Sequence, residues 1–340
     1  MDIVRLSLTN ENILDWSRLN FSENDAEKFC ENHCLELNNP SDIALIERIR
    51  DESIAYLQEE FDFPMPGPIR NASLLELLKT SADASNRHRQ FCACTLLKAM
   101  HIINHFDAGE ARQALTIPDQ QLFQIAEARI YKVISGMMAD RLPVVEFMGG
   151  RKQRASMVTK LLSKDDPLAA QLFDKIRFRV VTATKEDVLP AINYLSKNLF
   201  PFNYILSGES YNTLFPFASY VDEHPRLRTI ATGQSGPNSQ QDSLNPMAQN
   251  VHSSPKYQVV HWVADMPVRI EDFKNAYITD GVNPVPRPVI YVRAEIQILD
   301  RKTHRINERG HAAHTKYKAR QRESVLEKLR VRNNFATVVE

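Results

Sequence analysis

Residues 288–318 read PVIYVRAEIQILDRKTHRINERGHAAHTKYK. Val289 to Ile298 is rich in Val, Ile and Tyr, with Glu295 and Gln297 on one face and Ile296 and Ile298 on the other. That alternation predicts a strand with one buried face and one face bearing a carboxylate and an amide. Asp300 ends the strand and can cap the next element. From Arg301 to Lys318 the chain is basic, and Ile306, Gly310, Ala313 and Tyr317 recur at helical spacing. Glu295 thus sits near the end of a strand that runs into a cationic helix. A carboxylate in that place suits a metal-bound polyphosphate.

Upstream, residues 1–140 read as mostly helical. One helix starts at Ser22 and runs to about Leu37. Asn39-Pro40-Ser41-Asp42 caps a second that reaches about Phe61. Pro64 to Pro68 is a break. Ser73 to Leu78, Asn86 to Asn104 and Asp119 to Met138 repeat the helical pattern. His101, His105 and Asp107 are ordinary helix residues on this reading, because a phenylalanine separates His105 from Asp107.

Leu142 to Met148 is apolar and predicts a strand. Gly149-Gly150 then turns the chain into a helix start, Arg151-Lys152-Gln153-Arg154-Ala155-Ser156, continuing to Lys160. Cations and free backbone N–H groups at a helix start favour polyphosphate. Phe173 to Thr182 predicts another strand, with Asp174 and Arg179 five residues apart. Lys185 to Leu199 predicts an amphipathic helix returning to the sheet, and Tyr257 to Val263 a further strand. Residues 233–256 are rich in Gly, Ser, Pro, Asn and Gln and read as a flexible insertion. Residues 319–333 continue the basic helix.

The run Glu295-Ile296-Gln297-Ile298, then His304, Gly310, Ala312-Ala313-His314 and Tyr317-Lys318 resembles the synthetase domain of RelA/SpoT alarmone synthetases. There the stretch reads roughly E-V-Q-I-R-T, H, G-x-A-A-H-W-x-Y-K, and no gap is needed. Lys152, Ser156 and Lys160 match that family's G-R-x-K-x-x-x-S-[IL]-x-x-K, with Arg151 shifted by one residue. Asp174 and Arg179 match its Y-D-x-x-[AG]-x-R-[IV] strand. The acceptor half departs from the pattern. The family has R-F-K-D-Y-I and then N-G-Y-x-[SA]-[LI]-H. Here Tyr204, Ile205 and Tyr211 match, but Phe200, Phe202, Asn203 and Phe215 replace Arg, Lys, Asp and His, and Leu299 replaces Arg.

The resemblance covers roughly residues 141–320. It implies an α/β (α+β) fold with a mixed, nucleotidyltransferase-like sheet of about five strands flanked by helices. That part would span 141–333, behind a helical part, 1–140, of unknown role. The implied reaction is pyrophosphate transfer from ATP to the 3′-hydroxyl of GDP or GTP, with Mg²⁺ held by Asp174 and Glu295. Arg151, Lys152, Arg154, Ser156, Lys160 and Arg179 would bind ATP. Tyr211, Asn212 and Gln297 would meet the acceptor, and His304 and His314 would support the pocket. Two alternatives stay open: a relative acting on another acceptor, such as the tRNA 3′ end or an adenine nucleotide, and a silent nucleotide-binding regulator. A homo-oligomer stays open as well.

Composition sets bounds. Formal net charge is zero over 340 residues, so the chain as a whole has no bias towards polyanions. Residues 1–60 are acidic, as a cover for a basic site or as a solvated surface, and the last forty are basic. No apolar run approaches the ~20 residues of a membrane span. Without a secretion signal the expected place is the cytoplasm. Cys30, Cys34, Cys92 and Cys94 fall in helical patterns and read as reduced, buried thiols.

Overall fold

The structure is a computed structural model. It describes residues 23–151, 154–163, 176–206, 209–214, 254, 256–271, 275–276, 287–310 and 313–336. The chain divides into two compact units. The first is Met1–Gly136 with Asn193–Ile205 and Asp265–Val292; the second is Met137–Ile192 with Leu206–Ala264 and Arg293–Glu340. The first crossing between them falls between Gly136 and Met137. Two segments of the expected synthetase part, 193–205 and 265–292, belong to the first unit.

Helices dominate the first unit: α1 (Glu23–Asn32), α2 (Pro40–Phe61), α3 (Gly67–Arg70), α4 (Leu74–Ala82), α5 (Arg87–Ala114) and most of α6 (Asp119–Ala139). Their ends follow local chemistry. Asn39 caps α2 by accepting from Ser41 N, and Asp62 closes it in the left-handed region at φ 48°. Ser73 and Glu76 form a reciprocal capping box on α4. α1 stops short of the expected Leu37, because Cys34 takes a positive φ of 59°. α5 runs ten residues past the expected Asn104, since Ala108 and Ala111 still face the core. All four cysteines are free. Burial and the carboxylates of Glu27 and Glu31 push the Cys30 thiol up to about 12.

A buried polar cluster lies in this unit. His33 Nδ1 donates to Phe29 O at 2.8 Å, which leaves its Nε2 an acceptor. Asn203 Nδ2 lies 3.4 Å from that atom and 3.1 Å from His101 Nδ1, and an amide nitrogen can only donate. Both imidazoles are therefore held neutral. Burial lowers His33 to about 4 and His101 to about 3 from an ordinary 6.5. Between pH 6.5 and the folded values the unfolded chain binds more protons than the folded one, so stability is lost as pH falls through this window. Thermal unfolding from pH 7 to 4.5 should show a falling melting temperature. His101→Gln should flatten that fall, and an unchanged slope in the variant would refute the assignment.

The second unit is built on the sheet. Its strands are β1 (Val144–Arg151), β2 (Ile176–Thr182), β3 (Tyr211–Asn212), β4 (Val260–Arg269) and β5 (Val289–Asp300), with helices α7 (Arg154–Leu162), α8 (Val188–Asn198), α9 (Arg301–Asn307) and α10 (His314–Ala336). β4, β5 and α8 each give residues to both units. Among the described residues one mixed five-stranded sheet forms, in the order β1-β2-β5-β4-β3. β1 is antiparallel to β2, and β2 is parallel to β5.

Two local expectations are corrected. Gly149 and Gly150 do not turn the chain; they lie within β1, opposite Phe178 and Arg177. The stretch from Arg301 to Lys318 is two helices. Gly310 takes φ +65° between them, a conformation in which a side chain would be strained. Asp300 caps α9 as expected, its carboxylate accepting from Thr303 N at 3.0 Å. Of the insertion 233–256, only Ser254 and Lys256 are among the described residues.

Candidate active site

Residues paired in register point to the same side of a sheet. Arg177 pairs with Glu295 and Gly150, and Arg179 with Gln297 and Met148. His261 on β4 pairs with Tyr211 on β3. With His261 Nε2 3.2 Å from Glu295, a polar band thus crosses β2, β5, β4 and β3 on one side. Beyond it, Val181, Val259 and Leu299 form a buried patch packed by Met148, Tyr211 and Tyr257. Leu299, where the resemblance expects a cation, is fully buried in this patch. The other side of the sheet holds Ile176, Phe178, Ile296 and Ile298, all buried.

Glu295 and Gln297 are buried as well, at 5% and 6% exposure, so the polar side of the strand is covered too. Gln297 Nε2 donates to Glu295 Oε1 at 2.9 Å, and His261 Nε2 lies 3.2 Å from the same oxygen. Gln297 Oε1 in turn accepts from Arg179 Nε at 2.9 Å. Both arms of Gln297 are therefore committed to fixing its neighbours.

Arg179 is held on every edge. Besides Gln297, Nη1 donates to Glu308 Oε1 at 2.9 Å and Nη2 to Tyr257 Oη at 3.3 Å. His304 Nδ1 lies 3.4 Å from Nη1, and His304 Nε2 is 3.6 Å from Glu146. His304 thus lies between Arg179 and Glu146. A cleft of about 260 Å³ opens beside this group, lined by Met148, Gly149, Gly150, Arg151, Arg177, Arg179 and Glu308. Arg177 and Arg179 share the cleft's side of the sheet with Glu308, and Arg151 lines the cleft from the end of β1, a balance of charge that favours a polyanion. A Cβ on Gly150 would meet nothing within 4 Å.

The expected ATP-binding residues are only partly gathered here. Arg151 and Arg179 line the cleft, and Ser156 is half-buried on α7. Lys152 and Asp174 lie outside the described residues. Of Arg154, Lys160 and His314 only the place in the helix is described. Among the expected acceptor residues, Tyr211 is half-buried and stacks on His261, with ring centroids 4.5 Å apart and planes at 17°. Burial, then Tyr257 and Glu295, raise its hydroxyl above the ordinary range. Asn212 is buried, and its Oδ1 accepts from Leu214 N at 3.1 Å. Asn203, at the family's Asp position, serves the histidine cluster of the first unit.

No family model matches the sequence, and no curated protein does. Solved structures give a likeness. Small alarmone synthetase 1 from Bacillus subtilis matches at TM-score 0.32 and 14% identity, over 65% of this chain and 94% of that one. Small alarmone synthetase 2 from the same organism matches at 0.31 and 14%, over 65% and 96%. A GTP pyrophosphokinase family protein from Streptococcus pneumoniae matches at 0.29 and 13%, over 63% and 87%. The chain is similar to alarmone synthetases.

One spacing was missed in the sequence. Tyr257-Gln258-Val259-Val260-His261 has the tyrosine-to-histidine spacing of Y-x-[SA]-[LI]-H. It lies after the insertion, beyond where a short linker would place it. The signal was available as a tyrosine four residues before a histidine, entering a strand that pairs next to β5.

Proposed function

We propose that this chain transfers pyrophosphate from ATP to the 3′-hydroxyl of GDP or GTP. The observation that supports it best is the buried Glu295, paired in register with Arg177, next to a cleft that Arg177, Arg179 and Arg151 line. Arg179 is bonded along its edges, which leaves its flat faces for a base to stack on. Arg151 and Arg177 would neutralise phosphate charge, which is where catalysis of phosphoryl transfer gains most of its rate. Glu295 would accept the proton of the attacking hydroxyl. The acceptor oxygen bonds the β-phosphorus, the bond between β-phosphorus and bridging oxygen breaks, and AMP leaves with that oxygen.

Glu295 fits Mg²⁺ by donor chemistry, since this ion takes one or two carboxylates together with substrate phosphates. Asp174 is its proposed partner. When bound, the ion would supply further neutralisation of phosphate charge. Tyr257, Tyr211 and His261 form the proposed acceptor wall. Among the described residues no helix is long and apolar enough to cross a membrane.

A second reading has an observation of its own. Arg301, Lys302, Arg305, Arg309, Lys316, Lys318 and Arg322 are all exposed, a spread of cations that suits an RNA backbone. The test is incubation with γ-labelled ATP and GDP, GTP, ATP or bulk tRNA. Label on the guanine nucleotide is the expected result. Label on tRNA alone would favour the second reading, and label on none of them would refute both.

A further inference from the structure

Glu308 stands out in the cleft, as an anion among cations that a polyphosphate site has no evident use for. It belongs to neither expected set of site residues. It follows the last residue of α9 and ends that helix, its own N–H donating to His304 O and Ile306 O. That backbone anchor fixes where its side chain starts. The carboxylate accepts from Arg179 Nη1 at 2.9 Å and lines the cleft with it.

The other edges of Arg179 are taken by Gln297 and Tyr257. Without Glu308, the outer nitrogen Nη1 keeps only the longer 3.4 Å approach to His304 Nδ1. The guanidinium would then be held through Nε and by the long Nη2 bond to Tyr257, with its outer corner less restrained. We propose that Glu308 is a positioning residue: it locks the plane of Arg179 so that one face meets the base of the donor nucleotide. This rests on the proposed function, in which Arg179 stacks on adenine. The carboxylate works against the phosphates by charge and for the base by geometry. Its removal should therefore separate base recognition from phosphate binding.

The experiment is titration calorimetry of wild type, Glu308→Ala and Glu308→Gln, with a non-hydrolysable ATP analogue and with inorganic tripolyphosphate. The Arg179–Glu308 bond is half-exposed, with the carboxylate side chain at 46%. A weakening of about three- to tenfold is expected for the ATP analogue in Glu308→Ala. Tripolyphosphate should bind as tightly as to wild type, or more tightly. Glu308→Gln should fall between, because its amide oxygen still accepts from Nη1. A merely structural role would weaken both ligands alike, and that result would overturn the proposal. So would unchanged or tighter binding of the ATP analogue by Glu308→Ala. If wild type itself binds no ATP analogue, the proposed function fails and takes this proposal with it. If wild type binds and the variants match it, only the role of Glu308 fails.

Discussion

Glu295→Gln is expected to lower pyrophosphate transfer by roughly a hundred- to thousandfold while leaving the fold in place. The exchange is isosteric. Gln297 Nε2 and His261 Nε2 both approach Oε1 of Glu295, and an amide oxygen in that place accepts from both. What disappears is the charge. A neutral amide neither takes the acceptor's proton nor binds Mg²⁺ well beside phosphates. Thermal unfolding should show a melting temperature close to wild type, and the label-transfer assay should show the loss. If the well-folded variant kept more than about a tenth of wild-type transfer, Glu295 would be neither the base nor the metal ligand.

The strand holding Glu295 was legible because alternation and a cap define it locally. Val289 to Ile298 alternates, and Asp300 ends it with its own side chain. The helices of the first unit were legible for the same reason, through Asn39 and Ser73. What the sequence hid depends on partners distant in the chain. Gly310 fits a helical repeat, and nothing nearby says that its φ is positive. Gly149 and Gly150 read as a turn, yet β2 pairs with both and keeps them extended. The burial of Glu295 and Gln297 arises from His261 and Arg179 on neighbouring strands, which periodicity does not record. Asn203 looked like a damaged acceptor motif. Its partners are His33 and His101, at separations of 170 and 102 residues. His261 was overlooked because loop length is only weakly constrained by physics, so a long insertion can separate two halves of a motif.

That displacement leads to the largest expected effect on the acceptor. Tyr257→Leu should raise the Michaelis constant for GDP or GTP by about ten- to hundredfold, the range for loss of one aromatic stacking partner. Leucine keeps apolar bulk against Val181, Val259 and Leu299, so the patch beneath should hold. The Tyr257 hydroxyl accepts from Arg179, which puts its ring next to the donor cleft, and transfer requires an acceptor within reach of that cleft. Tyr211 differs. One face of its ring is already stacked on His261, and its hydroxyl is held well above the ordinary range by burial. Tyr211→Leu should therefore raise the acceptor constant less. Tyr257→Phe separates ring from hydroxyl: the acceptor constant should stay near wild type, with a small loss of ATP affinity through Arg179. Steady-state kinetics with each substrate varied in turn would decide. A larger acceptor effect at Tyr211 than at Tyr257 would return the stacking role to Tyr211, and His261 would then be the support for its ring.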